Sequence, residues 1–225
     1  MGDETPGPGA GQDEGALALL LTWLSPSFPI GSFAYSHGLE WAVEAGDIRN
    51  EADLLDWVQD LLRHGSGRSD AIFVRHAHRM RDPDALRDLS DLAEAAQPSR
   101  ERRDETIGQG TAFALAGLVW GGGMEGRVAY PVAFGALAAA QGVAEDPAAH
   151  AFLHAFAANL ISAAVRLVPL GQTAGLRTIA ALAPVIAEVA ASTRTAGLDE
   201  IGGACFRSDI AAMRHETQYT RLFRS

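Results

Sequence analysis

The chain contains no β-branched run bounded by hairpin turns, whereas Ala, Leu, Arg and Glu are abundant along its whole length. That combination favours helices over strands almost everywhere. Apolar residues recur at helical spacing, most clearly at Leu54, Leu55, Val58, Leu61 and Leu62, which share one face behind an Asn50 cap. The spacing predicts helices over residues 15–24, 32–45, 51–63, 70–81, 83–96, 100–120, 130–141, 147–168, 173–182 and 184–193. Ser25-Pro26, Gly46, Gly121-Gly122-Gly123, Gly142 and Pro169 supply stop signals, and Asp82-Pro83, Ser99 and Asp146-Pro147 supply starts. No repeat at solenoid period and no splitting linker interrupts the pattern. The expected fold is all-α, a single helical bundle of about ten helices with flexible N- and C-terminal tails. The bundle spans residues 15–204; residues 1–14 form a disordered N-terminal tail and residues 205–225 a C-terminal amphipathic docking tail.

Composition removes several classes of function. The net charge of −10 and the absence of a basic stripe argue against a nucleic-acid surface. All 18 basic residues are arginines, so phosphate-loop lysine chemistry, lysine Schiff bases and Ser–Lys dyads are excluded. Cys205 is the single cysteine, which rules out an intrachain disulfide and a Cys-rich zinc site. The acidic, Gly/Pro-rich start lacks the positive region of a secretory signal, and no stretch reaches about 18 uninterrupted apolar residues. The expectation is a cytoplasmic protein that meets neither membrane nor nucleic acid.

Two segments stand out from the helical background. Residues 25–40 carry Pro26, Pro29, Gly31 and Gly38 yet also Phe28, Ile30, Phe33 and Tyr35. A loop that is stiff and apolar is either tucked into a core or awaiting a partner. The C-terminal segment places Phe206, Ile210, Met213 and Thr217 on one helical stripe and Arg207, Arg214 and Arg221 on another. Such a short amphipathic helix gains stability only by docking, on its own body, on another chain, or on both.

Candidate metal and catalytic patterns fail on geometry. His150 and His154 are four apart on a predicted helix, but their row continues through Ser162 and Arg166 as a polar stripe without Asp, Glu or Cys nearby. His76 and His78 point to nearly opposite sides of their helix. His215-Glu216 lacks the second histidine of a zinc-protease motif, position 219 being Tyr219. The Gly-rich stretches 108–110 and 121–123 follow no predicted strand. No catalytic or metal site is expected.

Three long segments, residues 25–40, 159–173 and 213–225, with a weaker match at 129–143 between the first two, resemble the UreF family of urease accessory proteins. The resemblance implies an all-α homodimer with no catalytic activity and no tightly bound cofactor, nickel being handled by the complex. It implies binding to UreD (also called UreH), recruitment of the GTPase UreG, and GTP-dependent nickel insertion into apo-urease. Pro29, Gly31, Phe33, Tyr35, Gly38 and Glu40 match the family's N-terminal motif, and Arg214, His215, Glu216, Arg221 and Leu222 its C-terminal motif; with Tyr219 these are the expected partner-binding residues. Arg221 is expected to organise the tail through backbone or carboxylate groups near the 33–35 loop. Asn159, Arg166, Pro169, Gly171 and Gln172 are read as a structural motif, with Arg166 either a buried hydrogen-bond hub or part of a polar passage for metal. Two alternatives to a scaffold stay open, a GTPase-activating regulator of UreG and a weak nickel relay.

Overall fold

Strong caps decide where several helices begin. In the computed structural model, which describes residues 10–225, the Asn50 side chain accepts from the Asp53 amide at 3.0 Å and opens α3 (Glu51–His64). Asp82 does the same for α5 (Pro83–Ala95), accepting from Asp84 at 3.1 Å, and Ser99 for α6 (Arg100–Gly117), accepting from Arg102 at 3.1 Å. The remaining helices are α1 (Ala10–Trp23), α2 (Leu39–Glu44), α4 (Ser66–Arg79), α7 (Tyr130–Ala140), α8 (Glu145–Leu167), α9 (Gly171–Ser192) and α10 (Phe206–His215). No strand occurs among the described residues, and the protein is all-α. The expected N-terminal tail lies outside the described residues up to position 9, and residues 10–14 already belong to α1.

Four stretches depart from the helix pattern read in the sequence. The helix expected over 32–45 is broken into a single 3₁₀ turn (Ser32–Ala34) and the short α2. The cause is local: His37 and Gly38 sit in the left-handed region at φ 57° and 75°, which a continuous helix cannot accommodate. The two helices expected on either side of Ala183 are one, α9, with Pro184 inside it. Pro184 lies on the exposed face, while Leu182, Val185, Ile186 and Val189 stay buried on the other, so packing carries the helix through the missing amide. α4 begins at Ser66, a turn earlier than expected, and α6 stops at Gly117 rather than Trp120.

Two apolar clusters fill the interior. One joins α2, α3, α9 and the greater part of α8, with Leu54, Leu62, Leu153, Leu160 and Leu182 fully buried. The other joins α1, α5, α6 and α7 around Trp23, whose ring meets Phe113, Phe134 and Trp120 edge-on at 5.7–6.4 Å. α4 and α8 contribute to both clusters and tie them into one body. α8 and α9 are long and apolar enough to cross a membrane by composition alone, yet about half of each is buried in this core. Close approach of α4 and α7 depends on Gly135, where a Cβ would stand 2.3 Å from the Val74 carbonyl oxygen.

Phe28 and Ile30 of the 25–40 segment point into the second cluster, whereas Phe33 stays exposed. The segment is therefore half core and half surface. Its last turn is fixed by Gly38, at whose position a Cβ would meet the Ala212 backbone nitrogen of α10 at 2.5 Å. Gly38→Ala adds both a strained φ and this clash, and should cost at least about 2 kcal/mol while loosening α10. Urea denaturation and hydrogen exchange at residues 206–215 check this.

Candidate functional site

The C-terminal segment folds back on its own body and brings the two sequence motifs together. α10 packs across α2, and its inner face is Ser208, Ala211, Ala212 and His215. This is not the apolar stripe. Phe206, Ile210 and Met213 remain 69%, 56% and 50% exposed on the outer face.

His215, with no exposed surface, is the centre of the junction. Its Nδ1 lies 2.6 Å from Glu101 Oε2 on α6, and its Nε2 lies 3.1 Å from Glu40 Oε2 on α2. Each ring nitrogen thus lies within hydrogen-bond reach of one carboxylate, and the imidazole is gripped from both sides. Glu40 also accepts the amide protons of Leu222 at 2.7 Å and Phe223 at 3.0 Å, so one buried carboxylate holds the backbone of the final residues. Glu101 accepts from the Arg221 guanidinium at 2.6 Å. Arg221 thus bonds a carboxylate, as expected of its planar fork, but that carboxylate is on α6 and not on the 33–35 loop.

The group that does reach the 33–35 loop is Arg166. Both terminal nitrogens donate to the Phe33 carbonyl at 3.1 Å, and the guanidinium is stacked between the rings of Phe33 (3.7 Å) and Phe223 (4.4 Å). The chain end then pairs with the loop. The Arg224 amide donates to the Ala34 carbonyl and the Ser36 amide to the Ser225 carbonyl, each at 2.8 Å. Ser225 Oγ donates to Glu105 Oε2 at 2.6 Å, Glu105 also pairs with Arg102, and His37 Nδ1 lies 3.1 Å from Glu105 Oε1 without a hydrogen bond.

The other expected residues scatter around this junction. Pro29, Arg214, Tyr219 and Leu222 are exposed, and Tyr35 is half-buried against α6 near Gly108. Gly31 precedes the 3₁₀ turn at φ 72°. Glu216 accepts from the Arg100 amide at 2.9 Å and so joins the tail to the start of α6. Asn159 is half-buried on α8, Pro169 and Gln172 are exposed, and Gly171 opens α9 at φ 72°. His150 and His154 lie on the exposed side of α8. Among the described residues no three His, Cys, Asp or Glu side chains converge to hold a metal.

Sequence reasoning missed Glu101, Arg102, Glu105, His37 and Asp70. The acids on α6 lie in the charged first turns that follow the Ser99 cap. One signal was present: Glu101, Glu105 and Gln109 lie on the row that continues into buried Phe113. Burial and the neighbouring Arg102 guanidinium hold His37 well below the usual histidine range. Burial pushes the Asp70 carboxyl up to about 7, against the pull of Arg102 and with a smaller push from Glu105.

Two outcomes follow. Glu40→Ala strands His215 and two tail amides, and should cost about 3 kcal/mol or more, with early proteolysis of residues 216–225 as the direct readout. Asp70 keeps a proton that the unfolded chain releases, so the stability it contributes is present below about pH 4 and lost as the pH rises through about 7. Asp70→Asn should thus gain on the wild type over that interval by roughly 1.4 kcal/mol for each pH unit crossed, in denaturation midpoints measured across the range.

Comparison with known proteins agrees with the resemblance. A family model described as UreF matches residues 48–183. The urease accessory protein UreF of Bradyrhizobium sp. strain ORS 278 is 52% identical over 231 residues, covering 98% of this chain and 96% of that protein. The urease accessory protein UreF of Rhodopseudomonas palustris strain HaA2 is 48% identical over 237 residues, with 100% of both chains covered. A third, from Rhodopseudomonas palustris strain BisA53, is 52% identical over 222 residues and 93% of each chain. With the family model matching more than half of the chain and relatives about half identical over nearly its whole length, the chain belongs to the UreF family of urease accessory proteins.

Proposed function

We propose that this chain is a non-enzymatic scaffold for maturation of the urease nickel centre. In this reading it acts as a cytoplasmic homodimer that binds UreD/UreH, recruits the GTPase UreG and brings both to apo-urease. Nickel is cargo of the assembled complex, and any GTP chemistry belongs to UreG, since this chain has no lysine for a phosphate loop.

The observation that carries the reading is the outer surface of the C-terminal junction. Phe206, Ile210 and Met213 on α10 stay exposed, as do Tyr219 and Leu222 beyond it. Exposed apolar groups concentrated on one segment mark a protein-docking surface. They are held by a buried polar network and need no partner for their own order. That is the preorganisation a docking surface needs to bind without a large ordering cost.

The test is co-elution with UreD in size-exclusion chromatography with light scattering. The combined variant Ile210→Asp, Met213→Asp and Leu222→Asp alters only exposed positions. It should keep the wild-type helical spectrum and lose at least about tenfold in affinity for UreD. Equal co-elution of variant and wild type would overturn the docking assignment. Addition of UreG and GTP to the wild-type complex separates a scaffold from a GTPase activator by whether hydrolysis rises.

A further inference from the structure

Away from the outer face of α10, a cleft of about 580 Å³ opens between α1, α8 and the 25–40 loop. Its rim carries Leu17, Leu21 and Phe33, each more than half exposed, and its walls are largely apolar. The floor is different. Asp70 of α4 is only 6% exposed, lines the cleft, and has no hydrogen bond or ion pair among the described residues. A buried carboxyl without a partner is uncommon, because desolvation goes uncompensated.

The charged groups around Asp70 explain why it stays single. From α6, Arg102 is turned toward Glu105 and paired with it. Glu105 is further engaged by Ser225 from the chain end and Gln109 from its own helix, with His37 Nδ1 3.1 Å away but not hydrogen-bonded. Tyr130 of α7 is neutral, and burial raises its pKa further. Asp209 of α10, on the far side, carries the same sign as Asp70, and burial raises its pKa as well. Arg102 and Glu105 cancel, His37 is neutral, and Asp70 remains the uncompensated acid at the end of an apolar cleft.

A volume of this size, a mostly apolar surface and a few polar groups, with Arg102, Glu105 and Gln109 of α6 beside Asp70 and His150 and His154 of α8, are the features of a small-molecule site. The sign of the floor selects a cation. The hydrocarbon walls, and the absence of three converging metal-ligating side chains among the described residues, select a cation that carries hydrocarbon. We propose that the cleft binds an organic amine, with its apolar body along α8 and its ammonium group donating to Asp70. A carboxylate ligand of the same shape is repelled, and an alcohol loses the charge-assisted bond.

Phenylbutylamine, phenylbutanol and phenylbutyrate are the probes, because they share one apolar body and differ in the head group. Calorimetric titration into the full-length protein at about pH 8 should rank amine over alcohol by about tenfold or more, with the acid not binding. Asp70→Asn should erase the amine's advantage. Ala155→Trp, which fills the cleft from α8 without touching Asp70, should block all three. In the wild type the amine-to-alcohol ratio should shrink as the pH falls from about 8 to about 6, because Asp70 takes up a proton, and the double variant His150→Ala, His154→Ala, which removes two other histidines lining the cleft, should keep that dependence. The proposal fails if amine and alcohol bind alike, if Asp70→Asn keeps the preference, or if Ala155→Trp leaves amine binding intact. Should Asp70→Asn not fold, the pH series and Ala155→Trp decide the matter alone.

Discussion

The buried contact of His215 with Glu40 and Glu101 is the interaction on which the order of the C-terminal segment depends. A carboxylate taken out of water is costly unless it is paired and its remaining lone pairs are occupied. Here both conditions are met by the tail: imidazole nitrogens, the Arg221 guanidinium and two backbone amides all come from residues 215–223. Without the tail, Glu40 and Glu101 would be stranded in the interior. Without those acids, the tail would lose its buried contacts at His215, Arg221, Leu222 and Phe223. Each side is stable because the other is present, so the junction forms or opens as a unit.

That mutual dependence explains why a segment of so few residues is ordered at all. A helix of the length of α10 does not form alone. Its inner face offers Ala211 and Ala212, which bury little area but permit the close approach that Gly38 on the facing turn allows. Packing sets the distance, and the ion cluster supplies specificity. The stack of Arg166 between Phe33 and Phe223 then links α8, the 33–35 loop and the chain end, so the apolar cleft and the tail share a wall.

The helices were legible in the sequence wherever a cap and an amphipathic stripe agreed, as at Asn50 and Leu54–Leu62. They were misread where tertiary packing overrode local chemistry. Pro184 is a stop signal by itself, and only the buried Leu182, Val185 and Ile186 carry α9 past it. The break at His37 was hidden for the opposite reason, since a non-glycine left-handed residue leaves no trace in composition. Of the junction, the sequence showed His215, Glu40 and Arg221 through their motifs. It did not show that they meet, nor that Glu101 and Glu105 join them from α6. Charged residues at a helix start read as solvated, and only long-range folding reveals that this row is covered by residues more than a hundred positions away.

The orientation of α10 carries the last step. A surface helix ordinarily turns its apolar stripe inward and its polar face to water. α10 does the reverse, burying Ser208 and His215 while Phe206, Ile210 and Met213 face out. Hydrophobic burial alone would favour rotating the helix by half a turn. The charges forbid it, because rotation would pull His215 from between two buried acids and release Leu222 and Phe223 from Glu40. The buried hydrogen bonds of the junction thus hold that apolar area outward. An arrangement that keeps apolar side chains exposed at the expense of the folded monomer makes physical sense when a second protein covers them. That is the ground on which the scaffold reading stands.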